Sequence, residues 1–346
     1  MREHPSTRVD VRSDTITQPV PAMRAVMESA EVGDDVLGDD KTVIELQNRV
    51  AKLFGKEAGL FVASGTMANA IALRAHTVPG DEIICDKLAH IYRYEGGGYA
   101  ALCGASIALV EGEKGIMTAA QVQTAIRKSE GSQSHYPNGK LVCVENTANL
   151  GGGGCYPQAR LDEIAQVAHN NDCKAHIDGA RIFNAVITTG IDPQRMCRDY
   201  DSVSICFSKG LGAPVGSVLV GSKKFIDNAH RWRKMFGGGW RQAGMLAAAC
   251  LYALDNHVDR MEEDHRRAKV LAEKIDQMDL FDVDLSTVQT NMVYVDCSIP
   301  AIDLVQKLSA HGIDLFDTGP NTVRIVTHLH ITDEDVSRII AAFAAQ

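Results

Sequence analysis

The amino-acid sequence predicts an α/β fold with a large domain on a mainly parallel β-sheet, followed by a smaller C-terminal α/β domain. Three observations lead to this prediction. Short apolar segments alternate with helical patterns along most of the chain. The pattern changes after Trp240, where a long helical stretch begins. The length of 346 residues is also long for a single hydrophobic core.

The predicted strands of the large domain are continuous apolar runs, which is typical of strands covered by helices on both faces. They lie at residues 58–63, 82–85, 106–110, 141–145, 174–178, 202–207 and 215–220. Helical patterns occupy the intervals, as at residues 118–128 and 161–170, and another helix begins at Thr66. A sheet with helices on both faces follows from this alternation.

One helix near the N-terminus has a marked start and end. Thr42 and Glu45 have the spacing of a capping box, and apolar residues follow at helical intervals. Gly55 supplies the signal for the end of this helix.

The C-terminal part of the sequence predicts a separate, smaller domain. A helical stretch runs from Gln242 towards Met278. It is followed by strands at residues 292–297 and 322–327 and helices at residues 301–311 and 333–345. We predict an N-terminal arm and large domain over residues 1–250, with residues 1–9 as a loose polar arm, and a small domain over residues 251–346.

Charge and hydropathy exclude several classes of protein. The 35 basic and 44 acidic residues give a net charge of −9, and the basic residues are scattered, so no nucleic-acid partner is expected. The longest apolar run, residues 245–254, falls short of the roughly 18 residues that span a membrane. No secretory signal pattern is visible. Nine irregularly spaced cysteines without a CxxC pair predict a reduced, cytoplasmic chain with no metal site.

Several common catalytic motifs do not occur in the sequence. It contains no GxGxxG, GxSxG or HExxH pattern. Residues 216–222 have the glycine spacing of a P-loop, but Ser222 stands where the lysine is required, so this interpretation is rejected.

Polar residues follow three of the predicted strands, at the edge where open α/β sheets bind ligands. Residues 64–66 (Ser-Gly-Thr) open a helix and form an anion cup, although many strand-to-helix turns look similar. Asp178 ends a strand and alone could simply cap the next helix. Lys209 follows another strand and alone could be a solvated loop lysine.

Together these residues suit pyridoxal phosphate. Lys209 can form the Schiff base with the cofactor aldehyde, and Asp178 can pair with the pyridine nitrogen and keep it protonated. The helix N-terminus at residues 64–66 can hold the phosphate. His90 follows a fourth strand and can stack on the ring.

The sequence resembles the low-specificity L-threonine aldolase family, and L-allo-threonine aldolases equally well. The matching segments run through most of the chain: VRSDTIT (11–17), VGDDV (32–36), SGTMAN (64–69), HIYRYE (90–95), ENTANLGGG (145–153), HIDGARIFNA (176–185), SVSICFSKGLGAPVGS (202–217), RKMFGGGWRQAG (233–244), VQTNMV (288–293) and VRIVTH (323–328). The resemblance implies the aspartate-aminotransferase-like fold (fold type I) and a pyridoxal phosphate-dependent lyase, a homotetramer. Such an enzyme cleaves L-threonine or L-allo-threonine to glycine and acetaldehyde.

The resemblance also implies the site residues. They are catalytic Lys209, His90 and His135; cofactor-binding Gly65, Thr66, His90, Asp178, Arg181, Lys209, Lys234 and Arg241; and substrate-binding Ser13, Arg181 and Arg324. Lys234 and Arg241 are expected to reach the phosphate of a neighbouring subunit. The base for the substrate hydroxyl stays open between His90, His135 and a water held by them.

The sequence departs from the family pattern at three positions, Leu37, Ala148 and Trp240. We expect the first two to alter the lining of the substrate pocket without abolishing the chemistry, in favour of bulkier, phenylserine-type substrates. Racemisation or transamination at the same cofactor is the alternative activity. A catalytically inactive scaffold is the alternative outside enzymes, and the intact Lys209, Asp178 and Arg324 argue against it.

Overall fold

A computed structural model describes residues 7–346. The strands within this range are β1 (Val9–Asp10), β2 (Ala58–Val62), β3 (Asp81–Asp86), β4 (Ser106–Val110), β5 (Asn138–Glu145), β6 (Lys174–Gly179), β7 (Ser202–Cys206), β8 (Ser217–Gly221), β9 (Phe281–Asp282), β10 (Met292–Cys297), β11 (Ile313–Asp314), β12 (Phe316–Gly319) and β13 (Thr322–Val326). The helices are α1 (Pro21–Glu28), α2 (Lys41–Leu53), α3 (Gly65–His76), α4 (His90–Arg93), α5 (Gly98–Ala101), α6 (Ala119–Ala125), α7 (Gln158–Asn170), α8 (Ile182–Thr189), α9 (Pro193–Cys197), α10 (Lys223–Met235), α11 (Gly244–Asn256), α12 (Met261–Ile275), α13 (Ala301–Ala310) and α14 (Asp333–Ala344).

The large sheet has seven strands in the order β2-β8-β7-β6-β5-β3-β4. The five strands from β7 to β4 are parallel to one another, and β8 runs antiparallel to both of its neighbours. The prediction of a mainly parallel sheet is therefore confirmed. All seven predicted strands of the large domain are present, with ends shifted by a few residues.

Alternate residues of the large sheet pack into hydrophobic clusters on opposite faces. On β5, Val142 and Val144 belong to the main core, whereas Leu141 and Cys143 pack with Leu73 of α3. Side chains of a strand point alternately to the two faces, so both faces of this sheet are covered, as the continuous apolar runs predict.

The second sheet is antiparallel, with the order β12-β13-β10-β9, and it supports a separate hydrophobic core. Leu271 of α12, Leu304 of α13 and Ile339 of α14 pack in this core. Val9 also packs there, because β1 pairs in parallel with β11. Most of the predicted arm, residues 1–6, lies outside the described residues, but the expectation that Val9 is loose is wrong. The domain boundary at residue 250 stays a prediction.

One helix-cap prediction is corrected by a tertiary contact. The side chain of Asp40, not Thr42, caps α2 by accepting from the Val43 amide at 3.1 Å. The Asp40 carboxylate also accepts from the Gly244 amide at 2.8 Å, a contact from a distant helix that the local sequence does not encode. Gly55 has φ +64°, so it ends the helix as predicted.

The long C-terminal helical stretch is two helices, α11 and α12, rather than one. The chain turns between them at His257, whose ring nitrogen Nδ1 lies 2.7 Å from the Leu211 carbonyl oxygen. This contact holds the turn between α11 and α12 next to the segment that follows Lys209. Among residues 7–346, we find no helix with the length and hydropathy needed to cross a membrane.

Candidate active site

The carboxyl ends of β5, β6 and β7 meet at one edge of the large sheet. Glu145 ends β5 and lies in register with Asp178 of β6, and Lys209 follows β7. A cavity of about 620 Å³ lies at this edge. Five of the predicted site residues line it: Ser13, His90, Arg181, Lys209 and Arg324. The topology therefore gathers residues that are far apart in the sequence.

Asp178 is buried, and both of its carboxylate oxygens accept hydrogen bonds. Oδ2 accepts from the Asn69 amide nitrogen at 2.9 Å, and Oδ1 accepts from the Ala180 backbone amide at 3.1 Å. These two hydrogen bonds hold the carboxylate in one orientation. A fixed anion at the end of β6 is what a protonated pyridine nitrogen requires.

His90 begins the short helix α4 and forms a cluster with two carboxylates. Its Nδ1 lies 2.9 Å from Glu95 Oε1, and the ligand atoms of His90, Glu95 and Asp178 are all within 4.8 Å of one another. Burial lowers the pKa of His90, but the hydrogen bond to Glu95 and the charge of Asp178 outweigh it and raise the pKa overall. The imidazole is therefore a stronger base than an isolated one, which suits the acceptance of a proton.

Glu145 is a buried carboxyl that the sequence analysis did not select. Its two oxygens accept from the backbone amides of His90 at 2.6 Å and Asn149 at 2.9 Å. Burial and the neighbouring charge of Asp178 raise its pKa to about 7. Glu145 thus holds the backbone of His90 and Asn149, two residues that line the cavity. Its position at the end of a strand, like that of Asp178, could have identified it from the sequence.

Arg181 lines the cavity with two of its guanidinium nitrogens bound within the chain, and its predicted contact with cofactor or substrate stays a prediction. Its Nε and Nη2 donate to the two oxygens of Asp14 at 2.7 and 2.6 Å, and both side chains are buried. Burial raises the pKa of Asp14, but the charges of Arg181 and Lys209 outweigh it and lower the pKa to about 2. Asp14 lies next to Ser13 in the matching segment at residues 11–17, and this position could have identified Asp14 as a site residue from the sequence.

Arg324 retains hydrogen-bonding capacity towards a ligand. Its Nη2 donates to the Arg12 carbonyl at 3.0 Å, and its Nη1 lies 3.4 Å from Asn149 Oδ1. Its buried Nε has no hydrogen-bond partner among the described residues. An arginine held in this way at a cavity wall suits a carboxylate ligand, which accepts two parallel hydrogen bonds. Ser13, also in the cavity wall, accepts from the Thr15 amide at 3.2 Å.

The first turn of α3 forms the predicted anion cup. Ser64 caps the helix by accepting from the Met67 amide at 3.1 Å, which leaves earlier amides of the turn, at Gly65 and Thr66, to face a ligand. A side chain added at Gly65 would lie 3.9 Å from Cys206 Sγ. Burial raises the pKa of Cys206, but the charge of Lys209 together with hydrogen bonding from Ser208 lowers the pKa overall, which places the Lys209 charge beside this thiol.

The structure places Lys234 and Arg241 on the exposed segment around three glycines. Gly238 of this segment packs against Met67 in the first turn of α3. Arg241 donates to Asp34 Oδ2 at 2.8 Å within its own chain. Its predicted role at the phosphate of a neighbouring subunit stays a prediction.

The three departures from the family pattern lie outside the cavity lining of a single chain. Leu37 is 71% exposed, and Ala148 is buried in the turn before Asn149. Trp240 packs edge-on against Phe61 with ring centroids 5.2 Å apart. The expectation that Leu37 and Ala148 line the substrate pocket is therefore wrong for the site of one chain.

His135 does not line the cavity of its own chain, and its predicted role near the substrate hydroxyl stays a prediction. It is exposed in the loop before β5, next to Tyr136. Arg127 lies over the Tyr136 ring at 5.8 Å and pairs with Glu82 at the start of β3. The loop is therefore at the opposite edge of the sheet, on the order of 20 Å from the end of β5. Tyr94, which the sequence analysis did not select, lines the cavity instead.

The residues that line the cavity and those beside it fit pyridoxal phosphate; Asp178, Gly65 and Thr66 belong to the second group. Lys209 supplies an amine for the aldehyde, Asp178 a carboxylate for the pyridine nitrogen, and the first turn of α3 backbone amides for the phosphate. His90 supplies a flat ring at the cavity wall. The fold and this set of residues define a pyridoxal phosphate-dependent enzyme of fold type I.

Comparisons with known proteins identify the family. Residues 10–298 match the beta-eliminating lyase family. The chain is 43% identical to a probable low-specificity L-threonine aldolase 2 of Arabidopsis thaliana, over 97% of this chain and 96% of the relative. It is 40% identical to the low specificity L-threonine aldolase of Escherichia coli K12, over 97% and 98%. This chain belongs to the beta-eliminating lyase family and, within it, to the low-specificity L-threonine aldolases.

Solved structures show the same fold. The threonine aldolase of Leishmania major superposes with a TM-score of 0.84 at 18% identity, covering 97% of this chain and 99% of the other. A putative L-allo-threonine aldolase from Listeria monocytogenes superposes with a TM-score of 0.80 at 19% identity, covering 97% and 96%. The fold prediction is confirmed.

Proposed function

We propose that this protein cleaves L-threonine and L-allo-threonine, and related β-hydroxy-α-amino acids, between Cα and Cβ to give glycine and an aldehyde. The observation that carries the proposal is the meeting of Lys209, His90 and Arg324 in one cavity, with a carboxylate oxygen of Asp178 within 4.8 Å of a ring nitrogen of His90. The family membership supports the same reaction.

Each side chain has a separate task in this reaction. Arg324 and Ser13 bind the substrate carboxylate and orient the amino acid, so that the bond to be broken is aligned for cleavage. Bound pyridoxal phosphate supplies an electron sink for the charge that develops at Cα. Lys209 holds the cofactor, and Asp178 keeps a negative charge beside its pyridine nitrogen.

His90 is the group best placed to take the proton of the substrate β-hydroxyl. It lines the cavity, and its hydrogen bond to Glu95 fixes the ring and raises its pKa. A water molecule bound to His90 can perform the same step. His135 stays the alternative base, in the loop before β5.

The function is tested by measuring release of glycine and aldehyde from L-threonine, L-allo-threonine and their D-isomers, with alanine as a further substrate. We expect cleavage of both L-isomers, no cleavage of D-threonine, and no racemisation or transamination of alanine. Products of racemisation or transamination in place of glycine would identify the alternative enzyme. A purified protein without visible cofactor absorbance would instead favour an inactive scaffold.

Replacing Arg324 by leucine should impair substrate binding more than cofactor binding. Loss of one partner of a buried charged pair costs about 2–5 kcal/mol, which corresponds to a fall of roughly 30- to 4,000-fold in kcat/KM for L-threonine. Steady-state kinetics together with the visible absorbance of the cofactor measure the two effects separately. Arg338→Leu, an exposed arginine of α14, is the matched control. A value of kcat/KM within two-fold of the wild type would contradict the role of Arg324.

We also propose that the active unit is a homotetramer of the cytoplasm. The ion pair of Asp34 with Arg241 joins the segment that carries Leu37 to the segment that carries Met245. The side chain of Leu37 is 71% exposed and that of Met245 is 46% exposed. Apolar side chains of this size in water are typical of surfaces that another copy covers. All nine cysteines are free, which supports a reducing compartment.

The substitution Arg241→Ala tests the assembly and the site together. If Arg241 completes the phosphate site of a neighbouring subunit, cofactor affinity and assembly are linked, because a ligand that binds only the assembled form stabilises it. We expect weaker cofactor binding and smaller species in analytical ultracentrifugation of the cofactor-free variant. A fully active wild-type monomer at the same concentration would contradict the proposal.

A further inference from the structure

A continuous set of buried hydrogen bonds runs beneath Asp178, along the face of the large sheet covered by α3. His76 Nε2 lies 2.8 Å from Ser202 Oγ, which lies 2.8 Å from His176 Nδ1. His176 Nε2 lies 3.3 Å from Asn69 Oδ1, and Asn69 Nδ2 donates to Asp178 Oδ2 at 2.9 Å. We refer to these five residues as the Asp178 relay. None of the first four lines the cavity at the carboxyl ends of the strands.

The direction of the hydrogen bonds in the Asp178 relay follows from the carboxylates at its end. The Asn69 side-chain nitrogen lies between Asp178 Oδ2 and Glu95 Oε1, at 2.9 and 2.8 Å. Both of its N–H groups therefore donate to carboxylates, and its oxygen points away from them. That oxygen accepts from His176 Nε2 and, at 2.9 Å, from Ser204 Oγ.

The remaining members of the Asp178 relay are uncharged and have one consistent arrangement. Burial lowers the pKa of His176 to about 4 and that of His76 to about 3, so both rings are neutral at pH 7. A neutral His176 that donates from Nε2 must accept at Nδ1, and Ser202 is the donor. The Ser202 oxygen in turn accepts from His76 Nε2.

This arrangement has a consequence for Asp178. An amide side chain can rotate by 180° and exchange its oxygen and nitrogen. With two donors at its oxygen and two acceptors at its nitrogen, Asn69 is held in the orientation that presents N–H to Asp178. The other orientation would place an amide oxygen against two carboxylates, which is repulsive.

We propose that His176, acting through Asn69, is a positioning residue that holds Asp178 as an oriented, ionised carboxylate for the pyridine nitrogen of the cofactor. The inference rests on the cofactor and site of the proposed function. It adds two residues, His176 and Asn69, that form no part of the cavity wall. It also explains why polar residues occupy positions of β6 and β7 where the apolar pattern of buried strands is interrupted.

The test compares His176→Leu with His176→Gln. Leucine has a similar volume but offers no hydrogen bond, whereas glutamine retains a donor for Asn69 Oδ1. We expect the Kd for pyridoxal phosphate, from absorbance titration of the cofactor-free protein, to rise roughly three- to ten-fold in His176→Leu, as expected for loss of one hydrogen bond. The ratio of the visible and near-ultraviolet bands of the bound cofactor at fixed pH should change as well. In His176→Gln both quantities should return to within two-fold of the wild type.

Ile177→Ala is the matched control, because Ile177 lies between His176 and Asp178 on β6 and packs into the core on the other face. It should lower the melting temperature without changing the cofactor spectrum. The proposal is overturned if His176→Leu binds cofactor with the wild-type Kd and spectrum, if His176→Gln behaves like His176→Leu, or if Ile177→Ala changes the spectrum equally. These readouts need only cofactor binding. A wild-type protein that binds cofactor but releases no glycine from threonine would therefore refute the function and leave this test valid.

Discussion

Replacing Lys209 by alanine is expected to abolish the visible absorbance of the bound cofactor and to lower the rate of threonine cleavage on the order of 10³-fold or more. Lys209 lines the cavity, and it follows the strand next to the one that carries Asp178. Its backbone carbonyl accepts from Thr17 Oγ1 at 2.6 Å, so the N-terminal segment holds this lysine in place. Without its amine the cofactor aldehyde has no covalent partner in the cavity.

Absorbance spectra of the purified variant and single-turnover release of glycine measure the two effects of Lys209→Ala. Lys223→Ala is a suitable control, because Lys223 is exposed and pairs with Asp227 on the surface of α10. The control should retain both the spectrum and the activity. A Lys209→Ala variant that keeps the absorbance band and the turnover would show that another lysine holds the cofactor.

The large sheet could be predicted because the residues of each strand form a local pattern that is visible in the sequence. Each central strand is a short apolar run, and polar residues such as Asp178 and Lys209 mark the points where two of these runs end. In a parallel sheet the carboxyl ends share one edge, so these strand-end residues meet without further information. The cofactor followed from the same residues, since an amine, a carboxylate and a helix N-terminus are what pyridoxal phosphate requires.

Contacts between distant segments could not be predicted in this way. The ion pair of Arg181 with Asp14, 167 residues earlier in the chain, was not predicted, although the role of Arg181 at the cofactor or substrate stays a prediction. Asp40 replaces Thr42 as a helix cap because it also binds the Gly244 amide. In both cases a buried polar group needs a partner, and the topology rather than the local sequence decides which partner is near.

The role of His135 at the substrate hydroxyl stays a prediction. The family pattern supplied a role at the substrate hydroxyl but no position in space. The loop that carries His135 precedes β5, whereas the site lies where β5 ends. A strand of eight residues therefore separates the two.

Asp14→Asn is expected to destabilise the folded protein strongly. The Arg181 guanidinium is buried with Asp14 as its bidentate partner, and an amide in place of the carboxylate leaves that charge without a counterion. Removing one partner of a buried ion pair costs about 3–5 kcal/mol. Urea unfolding of the cofactor-free protein at pH 7 measures the loss. Asp10→Asn is a weaker comparison, because the Arg12 partner of Asp10 is half-exposed.

The pH dependence of stability gives a second test of the Asp14–Arg181 pair, with a defined sign. The pKa of Asp14 lies at about 2 in the folded protein, below its ordinary value of 3.8. Its contribution to stability is therefore complete above about pH 4–5 and is lost as the pH falls towards 2. The difference in unfolding free energy between wild type and Asp14→Asn should shrink over that interval.

The double variant Asp14→Asn with Arg181→Gln should lose less stability than the two single variants added together, because no charge is left buried alone. Strictly additive losses would show that the two side chains are not energetically coupled.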